Sequence, residues 1–268
     1  MSSLGLSAKV LVNGMMRKLG YQITKCAAAP SRLANGFPVD FEESDKFIWN
    51  AVNPYTMTGP ERVYSLSRAI EYIVRAGIPG DIVECGVWKG GSSMGLALAL
   101  LRMEDTSREM YLYDTYDEGW PAGGPDDVTI TGVTAHQLWL DAVKRGETAD
   151  TLFAKYGDVI SVMKSTGYPF EKIHTVKGKV EDTIPGTVPE KIALLRLDTD
   201  WYASTKHELD HLYPRLAEGG VLMIDDYAAF QGARKAVDEY FEEHNIIMLL
   251  NRVDDGGYRI GVKPLSRV

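Results

Sequence analysis

Short apolar runs alternate with helix-patterned segments along most of this 268-residue chain, and that rhythm constrains the fold more than any other feature. Asp81-Ile82-Val83-Glu84-Cys85-Gly86 reads as a buried strand that ends in glycine. Residues 91–103, rich in Leu and Ala and opened by Ser92 and Ser93, read as the helix after it. Residues 110–113, 173–176, 192–197 and 221–224 are four more strand candidates, and residues 205–216 and 229–244 carry helical patterns. Strands separated by helices imply a parallel sheet covered on both faces, because a parallel crossover needs a dozen or more residues and a helix supplies them.

The end of the chain departs from this rhythm. Two strand-like runs, residues 246–253 and 258–262, flank Asp254-Asp255-Gly256-Gly257. Asp-Gly between apolar runs signals a hairpin, since glycine accepts the positive φ of the turn. The expected fold is therefore α/β: a doubly wound, mostly parallel seven-stranded sheet finished by a C-terminal antiparallel hairpin. That is the layout of the S-adenosylmethionine-dependent methyltransferase fold. A dinucleotide-binding Rossmann domain, which lacks the hairpin, is the alternative. Residues 51–268 are expected to form this domain, and residues 1–50 an N-terminal helical extension for dimerisation or for covering the acceptor. In that extension Val10, Leu11, Met15 and Leu19 share one helical face, and residues 27–31 read as a linker.

Composition removes whole classes of function. Lys and Arg number 29 against 37 Asp and Glu, a formal net charge of -8, which disfavours a nucleic-acid partner that needs a basic surface. No apolar run approaches the roughly 20 residues of a membrane span. Two cysteines, Cys26 and Cys85, make no disulfide framework, and no secretory signal is apparent, so a cytoplasmic protein is expected.

Ligands of doubly wound sheets bind outside the carboxyl ends of the strands. Here nearly every such end carries an acid: Glu84, Asp114, Asp198, and the pair Asp225-Asp226. In Glu84-Cys85-Gly86-Val87-Trp88-Lys89-Gly90-Gly91-Ser92, glycines let a ligand approach the backbone, and the helix after them offers free N–H groups to a carboxylate. An acid at the position of Glu84 repels a pyrophosphate and suits the ammonium of a methionine moiety, which favours S-adenosylmethionine over NAD. Asp114 is placed to accept ribose hydroxyls. Asp182 is placed either to face an adenine amino group or to cap a helix. Asp198-Thr199-Asp200 and Asp225-Asp226 end adjacent strands, and so many close carboxylates suit a hard divalent cation, Mg2+ or Ca2+. His207-Glu208-Leu209-Asp210-His211 matches the H-E-x-x-H zinc signature, but it lies in a crossover helix away from that edge. The Gly/Pro-rich stretch from Trp120 to Asp127 reads as a lid or a solvated loop, with His136 beyond it.

At these residues the sequence resembles the macrocin O-methyltransferase family, which includes the mycinamicin and novobiocin sugar methyltransferases. The resemblance is carried by Tyr55-Thr56-Met57-Thr58, Glu61-Arg62, the run from Val83 to Ser92, Tyr113-Asp114-Thr115-Tyr116-Asp117-Glu118-Gly119, Leu197-Asp198-Thr199-Asp200-Trp201-Tyr202 and Ile224-Asp225-Asp226-Tyr227. It implies Mg2+-dependent methyl transfer from S-adenosyl-L-methionine to a hydroxyl of a deoxysugar on a glycosylated small molecule, by an enzyme expected to be a homo-oligomer. By the same resemblance Asp198, Asp225 and Asp226 are the metal ligands and Asp200 the general base. Tyr55, Thr56 and Met57 approach the cofactor beside Glu84, Gly86, Val87, Gly90, Ser92, Asp114 and Asp182. His136 and Tyr227 are the acceptor contacts this reading offers. Two alternatives are a catechol-type phenol methyltransferase and a non-catalytic scaffold. Catechol enzymes place a lysine three residues after the first Asp, where this chain has Trp201.

Overall fold

The computed structural model describes residues 37–121, 123–124, 127–145 and 154–265. The chain divides into two compact units, Met1–Asp40 and Phe41–Val268. The helical stretch and linker expected near the N-terminus, and Cys26, lie outside the described residues. Among its described residues the second unit holds seven strands: β1 (Asp81–Cys85), β2 (Met110–Asp114), β3 (Ile173–Lys177), β4 (Ile192–Leu197), β5 (Leu216–Ile224), β6 (Asn251–Arg252) and β7 (Arg259–Val262). Their order across the sheet is β3-β2-β1-β4-β5-β7-β6. The first five pair in parallel, and β7 joins β5 and β6 antiparallel, as the hairpin signal implied.

Successive side chains on a strand point to opposite faces, and two cores result. Ile82, Leu194, Val221 and Met223 pack toward α1 (Glu43–Val52), α2 (Pro60–Arg75) and α3 (Gly91–Arg102), through Ile48, Val63, Ile70 and Leu96. The alternate residues Val83, Leu195, Leu197, Leu222 and Ile224 pack with Leu209 and Leu212 of α7 (Tyr202–Leu212) and Val237 and Tyr240 of α8 (Gln231–Glu243). The shorter helices are α4 (Ala135–Arg145), α5 (Tyr156–Ser165) and α6 (Val180–Thr183). No helix among the described residues is long and apolar enough to cross a membrane.

Three boundaries differ from the sequence pattern. α7 starts at Tyr202 and gives way at Leu212 to a 3-10 turn containing Pro214, whose ring cannot continue an α-helix. β5 starts five residues early, running through Gly219 and Gly220. Of residues 246–253 only Asn251–Arg252 pairs as strand. The preceding segment crosses over Gly261 instead of running beside it: a Cβ there would lie 2.7 Å from Met248 Sδ and 2.8 Å from Leu249 O.

Candidate active site

The carboxyl ends of β1, β2, β4 and β5 open into one cavity of about 460 Å³. Its first half is built by the β1–α3 loop. Gly86 has φ +86°, and a Cβ there would lie 1.9 Å from the Asp198 carbonyl oxygen, so only glycine lets the ends of β1 and β4 meet. Gly91 is equally constrained: its Cβ would reach 2.6 Å from Tyr55 O, which seats the Tyr55–Thr58 segment against the start of α3. Gly86→Ala is therefore expected to lower the melting temperature and abolish cofactor binding together, measurable by thermal shift with and without S-adenosylhomocysteine. Asp114 holds the loop from the next strand. Its Oδ2 accepts the backbone N–H groups of Val87 (2.7 Å) and Trp88 (2.8 Å), and its Oδ1 accepts Tyr116 N–H at 2.6 Å. A carboxylate offers about four acceptor sites, so this one retains capacity for a ligand hydroxyl.

The floor is a buried ion network. Glu84 and Arg196 are register partners on β1 and β4, and both are shut off from solvent, at 0% and 1% exposure. The Arg196 guanidinium donates to Glu84 Oε1 (2.8 Å), Asp198 Oδ2 (2.7 Å) and Asp225 Oδ1 (2.6 Å). Ser93 Oγ donates to the other Glu84 oxygen. Glu84 therefore lies beneath the cavity and not in its wall, a correction to its expected contact with the ligand ammonium. Burial raises its pKa, and Arg196 opposes that rise. Arg62, from the start of α2, donates to the second Asp225 oxygen and, at 2.6 Å, to Asp254 Oδ2 in the hairpin turn.

Asp225 thus faces two arginines, and a different trio converges. Asp198, Asp200 and Asp226 each offer a carboxylate oxygen, and these lie within 4.8 Å of one another. Asp226 Oδ2 is buried without a hydrogen-bond partner. Desolvation pushes all three carboxyls upward: Asp198 well above the usual range, despite Arg196; Asp226 likewise, aided by Asp200 and Asp225; and Asp200 to about 8, aided by the Asp198 charge. Oxygen donors alone, crowded and under-neutralised, are a donor set that fits a hard divalent cation.

Trp120, Trp201 and Phe230 wall the far end of the cavity. Beneath it the Thr199 hydroxyl donates to Glu208 Oε1 at 2.9 Å, and burial pushes Glu208 up to about 8. The zinc-like signature is accordingly not a metal site: Glu208 turns inward, while His207 Nε2 lies 2.9 Å from Ile184 O and His211 Nδ1 lies 2.9 Å from His207 O.

Tyr55, Thr56, Met57, Gly86, Val87, Ser92, Asp114, Asp198, Asp200, Asp225 and Asp226 all line the cavity. Four other expected contacts do not. Gly90, with φ +85°, makes the left-handed cap of α3 and backs onto Val159. Asp182 is exposed on α6, and its neighbour Glu181 lines the cavity instead. His136 is exposed on α4. The Tyr227 hydroxyl donates to Asp238 at 2.5 Å, with Arg234 and Arg259 over its ring. Sequence reasoning missed Arg196, and it placed Trp120 in a lid or solvated loop without assigning it a contact. A lone arginine in the apolar run Ile192-Ala193-Leu194-Leu195-Arg196-Leu197 was the available signal, because a buried charge requires partners.

The open sheet, finished by an antiparallel hairpin and opened at its strand ends into one cavity, has the S-adenosylmethionine-dependent methyltransferase fold. The family described as macrocin-O-methyltransferase (TylF) matches residues 23–259, and the chain belongs to it. It is 32% identical over 209 residues to an 8-demethyl-8-(2,3-dimethoxy-alpha-L-rhamnosyl)-tetracenomycin-C 4'-O-methyltransferase of Streptomyces olivaceus, covering 78% of this chain and 76% of that one. It is 31% identical over 207 residues to a mycinamicin III 3''-O-methyltransferase of Micromonospora griseorubida, covering 76% of each. Among solved structures, the O-methyltransferase NovP superposes with a TM-score of 0.68 at 26% identity, over 79% of this chain and 83% of that one.

Proposed function

We propose that this enzyme methylates a hydroxyl of a deoxysugar carried on a natural-product glycoside, with the help of Mg2+. The observation that carries the reading is the single cavity joining the glycine loop to the acid trio. The two curated relatives, named for methylating a rhamnosyl-tetracenomycin and a mycinamicin, support a sugar acceptor. Gly86, Val87, Ser92 and Asp114 would hold S-adenosylmethionine, with Tyr55, Thr56 and Met57 across from them. Asp198 and Asp226 would hold the cation, while Asp225 stays with its two arginines.

Held there, S-adenosylmethionine would supply a sulfonium methyl group for in-line displacement by the acceptor oxygen, with the thioether S-adenosylhomocysteine as the leaving group. A cation held by Asp198 and Asp226 would supply Lewis-acid chemistry toward the acceptor hydroxyl. Asp200 takes the hydroxyl proton as the oxygen attacks. The cavity walls hold the acceptor oxygen behind the methyl group, where alignment alone removes much of the barrier.

The test is transfer of labelled methyl to the rhamnosyl-tetracenomycin, to mycinamicin III and to catechol, each with and without EDTA. Label on a sugar hydroxyl that EDTA suppresses is the expected result; label on catechol alone would replace a sugar with a phenol. Asp200→Asn is expected to lower kcat by about 10²–10⁴, the range of general-base catalysis, while Mn2+ binding followed by electron paramagnetic resonance persists. Loss of Mn2+ in that variant would move Asp200 into the cation's ligand set.

A further inference from the structure

Asp200 occupies a strained turn, and the group that steers its side chain comes from a distant part of the chain. Its φ is +67°, and the Trp201 N–H donates back to Thr199 O at 2.8 Å, so the backbone reverses within three residues. Such a conformation persists when its surroundings over-determine it. Here the Trp120 indole N–H donates to Asp200 Oδ2 at 2.8 Å.

The indole is itself held in place. It stacks on Trp201 with centroids 4.4 Å apart and planes 22° apart, and the edge of Phe230 closes on it at 6.2 Å. Trp201 Nε1 donates to Pro121 O at 3.0 Å, so the two tryptophans lock each other. Asp127 anchors the same loop, its Oδ1 accepting Tyr202 N–H at 2.7 Å and its Oδ2 accepting Gly124 N–H at 2.6 Å. Beyond it Thr129 bridges to Phe230. Trp120 and Phe230 remain half-buried and line the cavity beside the acid trio. An apolar ring wall next to polar groups that fix orientation is how small-ligand pockets combine affinity with specificity.

We propose that Trp120 is the acceptor-positioning residue: its indole N–H aims the Asp200 carboxylate, and its ring seats the apolar C–H face of the sugar. This rests on the reading of Asp200 as proton acceptor and of a sugar as substrate. The two roles separate by substitution, because phenylalanine keeps a ring and loses the N–H, whereas alanine loses both.

The experiment compares W120F and W120A on the glycoside that accepts label. W120F is expected to lower kcat by about tenfold, the scale of one charge-assisted hydrogen bond, with KM for the glycoside unchanged. W120A is expected to lower kcat as much and also raise KM by about tenfold, the scale of a lost aromatic contact. Calorimetric binding of that glycoside to the S-adenosylhomocysteine complex should be unchanged in W120F and weakened in W120A, with S-adenosylhomocysteine affinity intact in both as the sign of a folded cavity. Wild-type kcat in W120F, or wild-type glycoside affinity in W120A, overturns the proposal. If the wild-type enzyme methylates no sugar hydroxyl, the reading beneath falls and takes this inference with it, an outcome visible before any variant is made.

Discussion

Replacing Arg196 with methionine is expected to cost about 3–5 kcal/mol of folding stability, the range for removing one partner from a buried ion pair. Arg196 is 1% exposed and answers Glu84, Asp198 and Asp225 at once. Methionine fills much of the volume but leaves Glu84, at 0% exposure, with only Ser93 beside it. The loss should depend on pH, and its sign follows from linkage. Burial already raises the Glu84 pKa, and removing Arg196 removes the chief opposing interaction. An acid whose folded pKa lies above its unfolded value binds more protons when folded, so stability is retained at low pH and lost as pH rises through the folded pKa. Urea unfolding of both proteins, at about pH 5 and about pH 8, should show the larger deficit at the higher pH. A deficit below about 1 kcal/mol at both would mean the network contributes no more than an ordinary hydrogen bond.

Asp198→Asn should act on chemistry and spare the fold. Burial, with repulsion from Asp225 and Asp226, outweighs the attraction of Arg196 and disfavours the Asp198 charge, so an uncharged amide that keeps an oxygen toward Arg196 should leave the melting temperature unchanged. Turnover is expected to drop on the order of a thousandfold, the several kcal/mol that a Lewis-acid cation contributes. S-adenosylhomocysteine binding should persist, because the close contact between β1 and β4 at Gly86 uses the Asp198 backbone oxygen, which asparagine keeps. EDTA treatment of the wild-type enzyme should reproduce the kinetic loss, and full activity in excess EDTA would end the cation's role. Asp225→Asn separates the two readings of the acid cluster. If Asp225 serves its arginines, that variant loses stability and keeps Mn2+; if it is a ligand, Mn2+ affinity falls.

The sheet was legible because its central strands β1, β4 and β5 are buried on both faces and read as apolar runs, and because Asp-Gly marks the hairpin. Boundaries failed where a tertiary contact outweighed local preference, as at Gly261, whose bare Cα lets residues 246–250 cross over the strand they were expected to join. In the site, the strand-end acids Asp114, Asp198, Asp200, Asp225 and Asp226 line the cavity. Strand-end position could not say which way Glu84 points: the alternation of side chains sends it to a face where Arg196 waits in register. Nor could spacing separate Asp225 from Asp226, because adjacent residues diverge and one of them meets Arg62 and Arg196.

The sequence alone determined the order of elements, the glycines that permit close backbone approach and the concentration of acids at one edge of one sheet. Those features follow from local rules: side-chain period, turn chemistry and the φ range of glycine. The tertiary structure decided how the acids divide, with Glu84 and Asp225 neutralised by arginine, Asp198 shared between Arg196 and the acid trio, and Asp200 and Asp226 facing it. It also brought Trp120 across 80 positions of chain to Asp200. Such pairings depend on which groups share a low-dielectric space after the chain has folded, and no local pattern encodes that.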